Sequence, residues 1–186
     1  RVRKNHTSRR DAFETVGAEP LGRVAYDPDG VTDVSFRREY EERAPDAERD
    51  AILGLDDDVE TAVELLKFTP GTSIERLEAL ADSAGIVLEG TGLGHVHTDW
   101  IDTVAGIVDD GTPVVMTSQC IEGRVCDRVY DTGRDLLDAG VVEGEDMLPG
   151  TAKVKLMWAL ANSESVAETM RTNVADEIQA RSTPWR

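Results

Sequence analysis

The residues most suited to chemistry lie in and just after a glycine-rich stretch, GTGLGH at 90–95. Its glycines are Gly90, Gly92 and Gly94, and glycines at alternate positions let a backbone turn tightly and approach a partner closely. The spacing differs from the dinucleotide fingerprint, and no acidic residue ends a second strand about 20 residues later. The stretch therefore predicts a tight turn with structural glycines, and His95, directly after them, is the candidate functional side chain.

A second group of polar side chains follows an apolar run at 114–116. The group is TSQC at 117–120, which places hydroxyl, amide and thiol groups at the end of a predicted strand. A catalytic cysteine needs its pKa lowered by a neighbouring base or a helix start, and the sequence supplies neither to Cys120 or Cys126. Two cysteines also make neither a disulfide framework nor a zinc ligand set. Both are predicted to be structural, and no metal site is expected.

A polar loop continues from this point and could line a cleft, although its composition is also that of a solvated loop. Its members are Glu122, Gly123, Arg124, Asp127, Arg128 and Tyr130. The spacing of these residues offers no nucleophile paired with a base. The residues by themselves therefore indicate a polar rim and no catalytic residue.

The elements that must position these groups alternate from about residue 58. Apolar runs predict strands at 59–68, 85–90 and 112–118. Helical spacing predicts helices after a Thr72 cap and at 98–110, 132–139, 151–161 and 166–180. This alternation predicts an α/β fold, a parallel sheet flanked by helices. Binding groups in such folds lie at the carboxyl ends of the strands, where both polar loops fall.

The first third of the chain has a different organisation. Residues 1–10 are basic and form either a solvated arm or a loop that pairs with carboxylates elsewhere. A short strand is predicted at 20–26, followed by a turn at 27–30. The charged stretch 37–50 is predicted to be an exposed linker. We therefore divide the chain into the end of a first domain at 1–26, an inter-domain linker at 27–57 and a C-terminal α/β domain at 58–186.

The composition limits the functions open to this chain. It has 186 residues with 37 acidic against 20 basic side chains, a formal charge of −17. Such a surface argues against binding a phosphate backbone as the main role, since that needs clustered cations. No apolar run approaches the roughly 20 residues of a membrane span. The basic set is 16 Arg and 4 Lys, and few Lys with many carboxylates suggest a halophilic, cytoplasmic protein, or simply an acidic one.

Several runs of sequence resemble a known family. The run VVMTSQCIEGRVCDRVYDTGRDLLDAGVVEGEDMLPGTAKVKLMWAL at 114–160 resembles the asparaginase-like D subunit of archaeal glutamyl-tRNA(Gln) amidotransferase. So do RVRKNHTSRRDAF at 1–13, GTGLGHV followed by TDW at 90–100, and MRTN at 170–173. The family's TGGT-like and GTDT-like motifs, which carry its threonine nucleophile, do not occur here. The resemblance is thus to the C-terminal part of the family, and with Arg1 as first residue a fragment is expected.

The resemblance implies an amidohydrolase that releases ammonia from glutamine, or asparagine, in a homodimer with the asparaginase/glutaminase fold. A partner E subunit would use ATP and Mg²⁺ to amidate Glu-tRNA(Gln) and would make most of the contacts to the tRNA. This segment itself would bind no cofactor. The second domain of such enzymes completes the active site of the neighbouring subunit. By alignment, His95 and Tyr130 become candidate substrate-side contacts, Tyr130 standing where the family has an acid.

Two other interpretations stay open at this point. One is part of an L-asparaginase with no role at tRNA. The other is a non-catalytic dimerisation module that kept the fold. In either of the enzyme interpretations the segment alone is expected to be inactive, because the nucleophile lies elsewhere.

Overall fold

The computed structural model describes residues 1–27, 29–40, 57–126 and 128–182. These residues belong to two compact units, Arg1–Asp56 and Asp57–Arg186. Most of the predicted linker, at 41–56, lies outside the described residues, as does Pro28 of the predicted turn. The linker itself therefore stays a prediction.

The first unit contains two antiparallel hairpins. Strand β1 (Val2–Lys4) pairs with β2 (Phe13–Thr15), so part of the basic N-terminal stretch forms a strand. Strand β3 (Gly22–Asp27) pairs with β4 (Gly30–Phe36), with a register shift between Ala25 and Tyr26. The proposed boundary between residues 26 and 27 consequently falls inside a strand.

The second unit is built on a four-stranded parallel sheet. Its strands are β5 (Val63–Lys67), β6 (Gly85–Gly90), β7 (Val114–Ser118) and β8 (Val142–Glu143), which lie side by side in that order. All three pairings are parallel. The predicted α/β fold with a parallel sheet is confirmed. Strand β8 was not predicted, because two residues leave no periodic pattern to detect.

The helices follow the predicted order with two corrections. They are α1 (Glu75–Glu78), α2 (Ile101–Asp109, preceded by a 3-10 turn at Thr98–Trp100), α3 (Asp131–Asp138), α4 (Pro149–Asn162) and α5 (Val166–Arg171). The Thr72 hydroxyl accepts from the amide of Thr69 instead of capping α1. Helix α5 ends at Arg171 and not at 180, because the Glu177 carboxylate accepts from the amides of Val174 and Ala175.

Both faces of the sheet are buried, which explains its continuous apolar strands. On one face, Ile86, Leu88 and Met116 pack with side chains of α1, α2 and α3. On the other face, Val87 and Val115 pack with side chains of α4 and α5. Among the residues that the structure describes, every helix is too short or too polar to cross a bilayer.

Candidate functional site

The glycine-rich loop is held in place by its own backbone. The Thr91 amide donates to the His95 carbonyl oxygen at 2.8 Å, and the Thr91 carbonyl accepts from the amides of Gly94 and His95 at 3.0 and 2.9 Å. A Cβ at Gly90 would lie 2.8 Å from the His95 nitrogen, closer than side chains approach backbone. Gly90 is therefore required by space, and the loop at residues 90–95 is a tight turn at the carboxyl end of β6.

The structure brings together the two residues that the resemblance singled out. The rings of His95 and Tyr130 lie edge to face, with centroids 5.5 Å apart and planes at 69°. The Nε2 atom of His95 is buried and has no hydrogen-bond partner among the described residues. Buried polar atoms are nearly always satisfied, so this nitrogen has unused capacity for a hydrogen bond. Tyr130 is 59% exposed.

The polar residues that end β7 bond to the glycine-rich loop and to neighbouring strands. Ser118 Oγ donates to the Gly92 carbonyl at 2.5 Å and accepts from the Cys120 amide at 2.9 Å. The side-chain amide of Gln119 donates to the carbonyl oxygens of Phe68 and Glu89. These bonds tie the ends of three neighbouring strands to the glycine-rich loop.

The loop after β7, at residues 119–130, is partly solvated and partly anchored. Asp127 of this loop lies outside the described residues. The Cys126 amide donates to the Leu93 carbonyl at 3.0 Å, which joins this loop to the glycine-rich one. Cys120 is exposed and Cys126 half-buried, and both are free thiols. In the described part of the chain, no group of three His, Cys, Asp or Glu side chains is placed to hold a metal ion.

Arg124 makes the most extensive contacts of the 119–130 loop. Its Nη1 lies 2.9 Å from Glu145 Oε2, its Nη2 donates to the Gln179 carbonyl, and its Nε donates to Ser182 Oγ at 3.3 Å. Glu145 has a φ of 57°, a left-handed conformation that is uncommon for a residue with a Cβ. Sequence reasoning placed Arg124 in a solvated loop, since its partners lie up to 58 residues away.

A buried ion pair lies behind these contacts. Lys155 Nζ is 2.5 Å from Glu177 Oε1 and donates to the Met170 and Thr172 carbonyls. Burial by itself would raise the pKa of Glu177, but the hydrogen bond from Lys155 and those from the Ala175 and Val174 amides lower it to about 2. The pair was not predicted. The available signal was a lysine on the buried stripe of α4, formed by Ala152, Lys155, Leu156 and Ala159.

Comparison with known proteins assigns the fold and the family. Residues 62–172 match the family described as the glutaminase/asparaginase C-terminal domain. The chain is 61% identical over all of its 186 residues to the D subunit of glutamyl-tRNA(Gln) amidotransferase from Halobacterium salinarum, of which it covers 44%. It is 53% identical over 183 residues, 96% of the chain, to the D subunit from Archaeoglobus fulgidus, covering 42% of that protein.

A solved structure agrees with these sequence matches. The thermostable L-asparaginase from Thermococcus kodakarensis superposes with a TM-score of 0.78 at 31% identity, over 97% of this chain and 54% of that one. The chain spans less than half the length of the two curated relatives named above. The resemblance to the archaeal D subunits and the asparaginase-type fold are both confirmed. This chain belongs to the glutaminase/asparaginase C-terminal domain family.

Proposed function

We propose that these residues form the C-terminal part of the glutaminase subunit of a Glu-tRNA(Gln) amidotransferase, which releases ammonia from glutamine to convert Glu-tRNA(Gln) to Gln-tRNA(Gln). The observation that carries this proposal is the 61% identity, along the entire chain, to an archaeal D subunit. Identity to the asparaginase of similar fold is 31%. The difference favours the amidotransferase over the L-asparaginase alternative.

In this proposal the residues of this chain, the rest of the D subunit and the E subunit have different roles. No nucleophile paired with a base occurs in its described loops, so the threonine nucleophile belongs to residues outside these 186. His95 and Tyr130, whose rings lie edge to face, serve as substrate-side contacts across a homodimer. ATP and Mg²⁺ act in the partner E subunit, which also makes most contacts to tRNA. The complex is a cytoplasmic ligase.

The test uses the complete D subunit that contains these residues, assembled with its E subunit. His95→Ala should raise the KM for glutamine about tenfold and leave kcat within about twofold, as expected when a binding contact is removed. His97→Asn is the matched control, because His97 is exposed and asparagine can still accept from the Asp99 amide. Equal kinetics in the two variants would contradict the assignment of His95.

The remaining alternatives give different results in the same assays. An L-asparaginase would hydrolyse asparagine in preference to glutamine, and Gln-tRNA(Gln) would not form when the E subunit, ATP and Glu-tRNA(Gln) are added. A dimerisation module would give no ammonia in any assembly. The 186-residue chain alone should show no glutaminase activity, and turnover by it would overturn the proposed division of labour.

The acidic composition supports a further part of the proposal, that the protein is adapted to high salt. A charge of −17 on 186 residues destabilises a compact state by self-repulsion, which salt screens. Because the Debye length falls from about 10 Å at 0.1 M to about 3 Å at 1 M, stability should rise steeply over that range of KCl. Unfolding curves at the two concentrations test this, and identical curves would contradict it.

A further inference from the structure

We propose that Ser118 is a positioning residue that fixes the glycine-rich loop, and with it His95, on the carboxyl edge of the sheet. The Ser118 hydroxyl donates to the carbonyl of Gly92, three residues before His95. The effect on substrate rests on the proposed function, which places His95 beside glutamine. The positioning itself rests only on the contacts of the described residues.

The hydrogen bonds inside the glycine-rich loop fix its shape. The Thr91 carbonyl accepts from the amides of Gly94 and His95, and the Thr91 amide donates to the His95 carbonyl. Donor and acceptor of each bond belong to the same turn and move together. These bonds therefore leave open where the turn lies on the sheet.

The position of the loop on the sheet is set by bonds from outside it. The Gln119 amide donates to the Gly90 carbonyl at 2.9 Å, where the loop begins. The Cys126 amide donates to the Leu93 carbonyl at 3.0 Å. Both of these donors belong to the backbone, so they are present whatever side chains the segment carries.

Ser118 adds a bond between these two, and it is placed for that bond by the sheet. It is the last residue of β7, where its register partner on β6 is Gly90. Its Oγ accepts from the Cys120 amide at 2.9 Å, which leaves the single hydroxyl hydrogen for the Gly92 carbonyl at 2.5 Å. In the described part of the chain, no other side chain from outside residues 90–95 donates to a carbonyl of this loop.

Packing contributes little at the point where this bond acts. Gly92 is exposed, and a Cβ added to it would have no atom within 4 Å. The next firmly packed residue is Val96, which is 6% exposed in the core. A stretch held by polar bonds becomes mobile when one of them is lost, and the stretch between Gly92 and Val96 includes His95.

The hydroxyl therefore sets how often His95 is in place for the substrate. Without it the loop keeps its shape but occupies displaced positions for part of the time, and apparent affinity falls by the fraction of correctly placed molecules. The chemical step is unaffected once glutamine is bound. The expected consequence is a rise in KM at nearly constant kcat.

The kinetic experiment uses the complete D subunit that contains these residues, assembled with its E subunit. Ser118→Ala should raise the KM for glutamine about threefold to fivefold, with kcat within about twofold. Ser118→Thr keeps the hydroxyl and should restore the wild-type KM. The matched control is Thr112→Val, which removes a half-buried hydroxyl that donates to the Ala81 and Ser83 carbonyls just before the other end of β7. It should keep the wild-type KM.

A double variant tests whether Ser118 acts through His95. If it does, adding Ser118→Ala to His95→Ala should leave KM at the value of His95→Ala alone, because the side chain to be positioned is already absent. If the two rises in KM multiply, Ser118 acts on the substrate by another route and the proposed path through His95 is wrong.

Amide hydrogen exchange reports the position of the loop without relying on activity. The bond from the Cys126 amide joins the loop to the neighbouring segment, whereas the bond from the His95 amide lies inside the loop. Ser118→Ala should speed exchange at Cys126 about fivefold and leave exchange at His95 within about twofold of wild type. Thr112→Val should change neither rate.

The outcomes separate the two proposals. A complete wild-type complex without glutaminase activity would defeat the proposed function, and the Cys126 exchange rate would still decide the positioning. An unchanged Cys126 rate in Ser118→Ala, or equal acceleration at Cys126 and His95, overturns the positioning even if KM changes. Faster exchange at Cys126 alone, with a KM equal to that of Thr112→Val, overturns the claimed effect on substrate affinity.

Discussion

The two loops that carry His95 and Tyr130 are stabilised in opposite ways. The glycine-rich loop closes on itself through hydrogen bonds between Thr91, Gly94 and His95. In the 119–130 loop, Arg124 contacts residues 55 and 58 positions later in the chain. The bonds that close the glycine-rich loop therefore lie within six residues, whereas Arg124 meets its partners only when the C-terminal segment folds onto the domain.

This difference predicts which changes damage only one loop. Changes in the C-terminal segment should loosen the 119–130 loop and spare the glycine-rich one. Changes in the glycine-rich loop should act locally. Amide hydrogen exchange at Val125 and His95 separates the two effects, because both amides are hydrogen-bonded.

The largest effect is expected when the buried ion pair is broken. Lys155→Met leaves the Glu177 carboxylate buried without its ammonium partner and removes the donor to two carbonyls, which should cost about 3–5 kcal/mol of unfolding free energy. Urea unfolding measures this. Lys153→Met, two residues earlier on the same helix, is the control and should change stability by less than about 0.5 kcal/mol.

The same variant tests whether the two loops respond differently to the loss of the ion pair. In Lys155→Met, exchange at the Val125 amide should speed up more than exchange at the His95 amide. Equal acceleration of both amides would show that the C-terminal segment supports the whole domain and not one loop in particular.

A slightly smaller effect is expected from acid. Because the pKa of Glu177 is lowered to about 2 in the folded protein, its contribution is present above the unfolded pKa of about 4.5 and is lost as the pH falls toward 2. Wild type should exceed Glu177→Gln by up to about 3 kcal/mol at pH 7, and the gap should close between about pH 5 and pH 2.

Unfolding free energies of both proteins at a series of pH values check this prediction. Comparing the two proteins cancels the other carboxylates of the chain. A gap that stays constant down to pH 2 would mean that the Glu177 charge does not stabilise the C-terminal segment.

An intermediate effect is expected inside the glycine-rich loop. Gly90→Ala places a Cβ 2.8–2.9 Å from backbone atoms of Gly94 and His95, which cannot move without breaking the turn. The expected cost is about 1–3 kcal/mol, with faster exchange at the His95 amide. Gly106→Ala is the matched control. Gly106 lies inside α2, and a Cβ added there would have no atom within 4 Å, so alanine should stabilise by about 0.5–1 kcal/mol.

Much of the fold could be predicted because its signals are local. Strand β6 has the predicted bounds, since an apolar run between glycines suffices to define it. The predicted end of α5 at residue 180 was wrong because a side chain competes with the helix for backbone amides. The Glu177 carboxylate accepts from the amides of Val174 and Ala175, and it draws those donors away from a continuing helix.

The candidate site was less accessible to sequence reasoning. His95 stood out because of the glycines before it, but Tyr130 came only from the family resemblance. Their contact, with ring centroids 5.5 Å apart, joins residues of two different loops, which no spacing rule connects. Lys155 carried a detectable signal, a charge on a buried helical stripe, because burial of lysine requires a partner.

The smallest effect is expected at the exposed end of the second loop. Tyr130→Phe keeps the ring that meets His95 edge to face and should leave stability unchanged within about 0.5 kcal/mol. Tyr130→Ala removes the ring contact and should cost about 0.5–1 kcal/mol, the lower part of the range for aromatic pairs because the side chain is 59% exposed. The sharper readout is modification by diethyl pyrocarbonate, which reacts with accessible imidazole nitrogens. Because His95 Nε2 is buried and the two rings are in contact, modification at this atom should keep its wild-type rate in Tyr130→Phe and become faster in Tyr130→Ala. A wild-type rate in Tyr130→Ala would mean that the glycine-rich loop buries His95 Nε2 without help from the Tyr130 ring.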